Sequence, residues 1–100
     1  MVRHIVMFKL RSAFSPAEIP YKAAVVKRRI ENLKEEIPFI RELEVGININ
    51  QVPWAYDVVL SSEFDNMDDL ERYRVHPAHQ AFIEFNKGYS EAKVSVDYEI

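Results

Sequence analysis

Residues 2–11 alternate with a period of two and carry apolar side chains on both faces. One row holds Val2, His4, Val6, Phe8 and Leu10, and the other holds Arg3, Ile5, Met7, Lys9 and Arg11. A period of two is that of a β-strand, because successive side chains point to opposite faces. A strand that is apolar on both faces needs a covering layer on each side of its sheet. This one stretch therefore predicts a strand within a layered sheet.

The next stretch has the pattern of an amphipathic helix. Ser15 and Glu18 have the spacing of a capping box, with Pro16 at the first helical position. An apolar row then recurs in steps of four and three, at Ile19, Ala23, Val26, Ile30, Leu33 and Ile37. Pro20 should kink the first turn or leave it as a separate short turn, since it has no N–H to donate.

Alternation returns in three later stretches, residues 42–49, 56–64 and 93–100. A loop that contains Pro53 and Trp54 separates the first two of them. These three stretches predict three more strands, which makes four in all.

A second helical pattern lies before the last strand and is interrupted by Pro77. Asp65 or Asn66 caps its beginning. Pro77 lacks an N–H and biases His76 away from the α region. We therefore expect one helix that ends near Val75 and another that begins at Pro77.

Tyr73, His76 and His79 are spaced three residues apart around this break. A phenol and two imidazoles aimed at one spot would form a proton-transfer site, since histidine titrates near neutrality. The structural alternative is that His-Pro merely joins two helices and that the tyrosine is a core residue. His4, taken alone, is best explained as a histidine at the edge of the core.

The order of elements is β-α-β-β-α-β, with the second helix broken. Right-handed connections make this an α+β, ferredoxin-like domain over residues 1–100, with a four-stranded antiparallel sheet and both helices on one face. The opposite face still carries Ile5, Met7 and Val59. A second copy of the chain would cover it most simply, so we expect a homodimer through the sheet face.

Composition excludes several classes of function. The 100 residues carry a net charge of −3, which gives no electrostatic basis for binding nucleic acid. The absence of cysteine excludes disulfides, a thiolate nucleophile and sulfur metal sites. No stretch resembles a signal peptide or a membrane span, so we expect a cytoplasmic protein. No metal site is expected either, because His76 and His79 lack an obvious third ligand, although the fold could bring His4 or Asp69 close to them.

Several motifs, taken together and in order, resemble the stress-responsive dimeric α/β-barrel (Dabb) family. They are RHIVMFKL at 3–10, EIP at 36–38, LEVG at 43–46, YD at 56–57, HPAH at 76–79 and VDY at 96–98. The resemblance covers essentially the whole chain. It implies ferredoxin-like protomers that dimerise sheet to sheet to form a barrel. Many bacterial members have no established activity, whereas a plant member, olivetolic acid cyclase, closes a polyketide ring by an aldol-type reaction.

The resemblance to that cyclase also implies a set of site residues. Tyr73 and His79 match its tyrosine and histidine, and His4 and His76 match two further histidines. His79 would act as a general base beside a carbonyl, and Tyr73 would be an acid or an oxyanion donor. The implied lining of an apolar pocket between sheet and helices is Val6, Phe8, Val26, Ile30, Leu60 and Phe82.

The sequence departs from the cyclase at Ala81 and Ile83, which replace small glycines, and at Val26 and Ile30, which replace aromatic residues. A long polyketide is therefore not the expected substrate. Three functions stay open at this point. The first is a lyase, cyclase or isomerase that needs no cofactor and acts on a small carbonyl compound. The second is a non-catalytic binder of a small apolar ligand, and the third is a stress-associated structural dimer.

Overall fold

The computed structural model describes residues 1–100 and has the predicted order of elements. The elements are β1 (Val2–Leu10), α1 (Ile19–Glu36), β2 (Glu42–Ile47), β3 (Val58–Phe64), α2 (Met67–Arg74), α3 (Pro77–Asn86) and β4 (Ser90–Glu99). The strands form one sheet in the order β2-β3-β1-β4, and all neighbours are antiparallel. The predicted ferredoxin-like fold is confirmed, and so is the break between α2 and α3.

Helix α1 begins later than its capping box suggested. The Ser15 N–H donates to Glu18 Oε1 over 3.0 Å, and the Glu18 N–H donates to Ser15 Oγ over 3.3 Å. The box therefore forms, but it closes a turn that precedes the helix, and the helix itself starts at Ile19. Pro20 stands in the first turn of this helix, where its missing N–H costs no internal hydrogen bond.

Three strand boundaries also differ from the alternation pattern. Strand β2 stops at Ile47, and the Asn48 side chain that follows it bonds the backbone of Asn50. Strand β3 starts at Val58, just after Asp57, whose Oδ2 accepts the Leu10 N–H over 2.7 Å. Strand β4 starts earlier than expected, at Ser90, beyond a register shift opposite the end of β1.

The core lies between the helices and one face of β1–β3. From α1 it contains Ala23, Val26, Ile30 and Leu33, and from the sheet Val2, Val6, Phe8, Leu10, Val45, Val58, Leu60 and Phe64. Helix α1 packs mainly on β2, while α2 packs on β1 and β3. Strand β4 pairs with β1, but no helix packs extensively on it. The layer of helices therefore leaves room over β4.

The other sheet face has no covering layer within the chain. Arg3 pairs there with Glu63 and donates to the Tyr98 hydroxyl. Around this polar group lie Ile5 and Val59, which are half-buried, and exposed apolar side chains, Met7, Val94, Val96 and Tyr98. A contiguous apolar surface of this kind is typical of an interaction site.

Candidate functional site

A cavity of about 600 Å³ opens between α2–α3 and the half of the sheet formed by β1 and β4. Its apolar wall includes Val6, Phe8, Leu60, Leu70, Phe82 and Ile83, and its polar wall includes His4, Tyr73, His79, Lys93, Ser95 and Asp97. This volume is in the usual range for sites that bind small molecules. The cavity exists because the helices cover β1 but leave the inner side of β4 free.

Tyr73 closes the deep end of this cavity. Its side chain is buried on α2 and packs against Phe64, with ring centroids 5.1 Å apart. Its hydroxyl has no hydrogen-bond partner within the chain, yet it is not sealed in the interior, so it faces the cavity. Burial raises the pKa of Tyr73 far above its ordinary value. The phenol therefore keeps its proton and can act as a hydrogen-bond donor.

His79 lies directly beside Tyr73, with ring centroids 4.3 Å apart. Its Nδ1 is 2.9 Å from the carbonyl oxygen of Arg74. A carbonyl can only accept, so Nδ1 must carry the hydrogen. In the neutral ring the lone pair is consequently on Nε2, which is the atom that can take a proton.

The break between α2 and α3 makes this arrangement. In a continuous helix the carbonyl of Arg74 would accept the N–H of Ala78. Here the Ala78 N–H donates instead to His76 Nδ1 over 3.1 Å. The freed Arg74 carbonyl accepts from His79 Nδ1 and from Gln80 Nε2, the latter over 2.8 Å.

Burial also lowers the pKa of His79, and the positive charge of Lys93 lowers it further. The hydrogen bond to the Arg74 carbonyl opposes this shift, because it stabilises the protonated ring. The net lowering keeps the imidazole neutral at pH 7. His79 is thus available as a base, and Tyr73 next to it as a donor.

His4 completes this end of the cavity from β1. Its ring stands edge-on to Tyr73, with centroids 6.0 Å apart. Its Nδ1 is 2.5 Å from Oδ1 of Asp97, the residue opposite it in the β1–β4 register. The carboxylate fixes the orientation of this imidazole, much as a carboxylate orients the histidine of a catalytic triad.

Asp97 is a cavity residue that the sequence interpretation missed, as are Lys93 and Ser95 of the same strand. The only signal for it was the alternation of the last strand, where Lys93, Ser95, Asp97 and Glu99 share one row. Placing this row opposite His4 requires the register between two strands at opposite ends of the chain. The sequence pattern does not contain that register.

His76 does not line the cavity with the other three residues. It is the N-cap of α3, and its ring lies near Phe39, with centroids 6.4 Å apart. The structure therefore places the two histidines of the His-Pro-x-His motif in different surroundings. His79 faces the cavity, while His76 stabilises the helix junction.

The residues expected to bind ligand divide in the same way. Val6, Phe8, Leu60 and Phe82 all line the cavity, and Phe8 meets Phe82 edge-on with centroids 5.9 Å apart. Val26 and Ile30 do not line it, contrary to the expectation. Both are fully buried in the core, because α1 packs directly against the sheet and leaves no gap there.

Neither a metal centre nor a membrane span is found. No group of three or more His, Cys, Asp or Glu side chains is arranged so that it could hold a metal ion. None of the helices combines the length and the apolar character needed to cross a membrane.

Comparison with known proteins identifies the family. The family model described as the stress responsive A/B barrel domain matches residues 2–100. An uncharacterised protein of Streptomyces coelicolor is 37% identical over 99 residues, which are 99% of each chain.

Solved structures agree with this match. A dimeric protein of unknown function with a ferredoxin-like fold, from Bacteroides fragilis, is 40% identical with a TM-score of 0.86, over 99% of this chain and 95% of that one. The hydroxynitrile lyase of Passiflora edulis is 22% identical with a TM-score of 0.77, over 99% and 92% of the two chains. The second similarity shows a shared fold alone. Together with the family match along nearly its whole length, these findings show that the chain belongs to the stress-responsive A/B barrel domain family.

Proposed function

We propose that the protein is a cytoplasmic enzyme that needs no cofactor and transfers protons on a small carbonyl compound as a lyase, cyclase or isomerase. His79 is the general base, and Tyr73 is the donor to the developing oxyanion. The observation that carries this proposal is the bond from His79 Nδ1 to the Arg74 carbonyl. It directs the Nε2 lone pair away from the backbone, beside a phenol that keeps its proton.

In the proposed reaction, His79 Nε2 takes a proton from the carbon next to the carbonyl group of the substrate. The electron pair of that C–H bond moves into the enolate, and the enolate oxygen accepts a hydrogen bond from Tyr73. In a cyclase the enolate carbon then attacks a second carbonyl, and the resulting alkoxide takes the proton from His79. In an isomerase the enolate takes that proton at a different atom. In a lyase these steps run in reverse: His79 takes the proton of a hydroxyl group, the carbon–carbon bond breaks to leave a carbonyl and an enolate, and the enolate carbon is then protonated. In each case His79 returns its proton, so no redox partner is consumed.

His4 and Asp97 form an imidazole–carboxylate pair next to Tyr73. We assign His4 to hydrogen bonding with the carbonyl compound or with the group that leaves it, and Asp97 to the positioning of His4. His76 was a candidate for the same chemistry. The proposal gives it only a structural part, because it lies outside the cavity.

The proposal includes a homodimer through the open sheet face. Met7, Val94 and Val96 are about half exposed on this face in the single chain, at 42%, 51% and 53%. A second copy related by a two-fold axis would bury them. The Bacteroides fragilis relative is described as dimeric, which supports the same assembly here. The cavity lies on the other face of the sheet and stays accessible.

Binding without turnover is the second candidate function. The apolar wall of Phe8, Leu60 and Phe82 favours it, since such a wall would hold a small apolar ligand without any chemistry. The Passiflora edulis protein is a hydroxynitrile lyase, and this supports a catalytic use of the fold. Neither candidate involves nucleic acid or a membrane.

Deuterium exchange separates the two functions. The protein is incubated in deuterated buffer with a panel of small ketones and keto acids, and proton NMR follows the loss of the signal next to the carbonyl. We expect exchange to be accelerated by the wild type, lost in His79→Ala and slowed about tenfold to a thousandfold in Tyr73→Phe. His76→Asn is the matched control, because asparagine can still cap α3. Ligand binding without any difference in exchange between wild type and His79→Ala would favour the binding function.

A further inference from the structure

In strand β4 the apolar and polar side chains lie on the opposite faces to those expected of a strand beside the core. Its apolar side chains, including Val94 and Val96, lie on the open face of the sheet. Lys93, Ser95 and Asp97 lie on the helix side, opposite Phe8, Val6 and His4 of β1. A polar row on the inner face is stable only where it is not packed under a helix. This row is therefore built as a wall of the cavity.

The charged groups around the cavity are paired, with one exception. Glu71 pairs with Arg74, Lys87 with Glu84, and His4 with Asp97, while Glu91 accepts the Ser12 N–H. Lys93 lines the cavity and makes neither an ion pair nor a side-chain hydrogen bond within the chain. Ser95, two residues along the same row, also leaves its hydroxyl without a partner.

We propose that Lys93 and Ser95 bind a carboxylate group of the ligand, which makes the substrate class a carbonyl compound with an attached carboxylate. This inference rests on the proposed function and specifies its substrate. One ammonium and one hydroxyl side by side match a single negative charge. Neighbouring residues in the row are about 7 Å apart, so one carboxylate can contact both side chains.

The position of Lys93 also fits the reacting end of the site. Lys93 is opposite Phe8, and Asp97 is opposite His4, about 13 Å further along the strand. A ligand held at Lys93 would extend over Phe8 and Val6 and present its carbonyl group to Tyr73. The charge of Lys93 already acts on His79, whose pKa it helps to lower. The anchor and the base therefore belong to one site.

The test compares γ-benzoylbutyrate with its neutral methyl ester, using isothermal titration at low salt. We expect the wild type to bind the acid about tenfold more tightly than the ester. This factor is at the lower end of the range for a hydrogen bond to a charged group, because Lys93 is exposed to solvent. Lys93→Met should remove this preference and leave the affinity for the ester unchanged. Lys93→Arg should keep it. Lys87→Met is the matched control, since that cation of the cavity wall is already paired with Glu84.

Four results would overturn the inference. In the wild type these are equal affinities for acid and ester, or no saturable binding of either probe. In the variants they are an equal loss of affinity for both probes in Lys93→Met, or a loss of the preference for the acid in Lys87→Met as well. Its failure can be told apart from that of the proposed function, because His79→Ala should lose exchange but keep the preference for the acid. Equal catalysed exchange of acid and ester would reject the carboxylate site alone. A preference for the acid without catalysed exchange would reject the catalysis alone.

Discussion

Replacement of His76 tests whether the two histidines of the motif have separate roles. In His76→Ala the Ala78 N–H loses the acceptor that it now has at 3.1 Å. Loss of an N-cap acceptor costs about 1 kcal/mol, within a range of about 0.5–2 kcal/mol. For a domain of this size that lowers the melting temperature by about 4–8 °C. His79→Ala should cost less than about 1 kcal/mol, because the Arg74 carbonyl still accepts from Gln80.

The assay is thermal unfolding followed by circular dichroism at one fixed protomer concentration, since a dimer makes the midpoint depend on concentration. His76→Asn is the control, because asparagine is among the best N-cap residues and should restore most of the lost stability. Deuterium exchange on the same samples should be unchanged in His76→Asn and lost in His79→Ala. The reasoning fails if His76→Asn is as unstable as His76→Ala, or if His79→Ala is the less stable of the two alanine variants.

The rate of deuterium exchange should fall at acidic pH, with a midpoint below about 6.5, because the base must be neutral and burial lowers the pKa of His79. Between neutral pH and pH 9 the rate should stay constant, because Tyr73 keeps its proton. In chemical denaturation, the free energy of unfolding of the wild type should decrease relative to that of His79→Ala as the pH falls below 6.5. The reason is that His79 takes up a proton more readily in the unfolded chain than in the folded one. A difference between the two proteins that is the same at pH 7 and pH 5 would contradict this. Sedimentation of the wild type should give about twice the chain mass, and a monomer at micromolar concentration would refute the dimer. Met7→Asp should give a monomer or an unfolded chain, because a buried, unpaired carboxylate is costly in an apolar interface.

Much of the fold could be predicted because its signals are local. The alternation of residues 2–11 is a property of neighbouring side chains, and so is the apolar row of α1. The break at Pro77 follows from one missing N–H. The strand ends were predicted less well, and side chains next to them, such as those of Asn48 and Asp57, bond the backbone in a way that alternation does not reveal.

The cavity could be predicted only in part, because its shape depends on distances between layers. Helical periodicity correctly predicted that Val26 and Ile30 face inward. It does not indicate whether the inner side of the helix packs on the sheet or lines a cavity. The contacts of α1 leave no gap, whereas α2 and α3 leave one over β4. Asp97 was missed for a related reason, since its partner His4 is 93 residues away in the chain.

The spacing of the His-Pro-x-His motif has a physical explanation in the break itself. On a continuous helix, residues three apart would lie on one side, and His76 and His79 would face the same surroundings. Pro77 makes His76 the extended N-cap of α3, with its ring acting on the first turn, and leaves His79 inside that helix. The carbonyl that the break releases at Arg74 is then the acceptor that fixes the tautomer of His79. Pro77, which interrupts the helical pattern, thus accounts both for the role of His76 as an N-cap and for the orientation of His79.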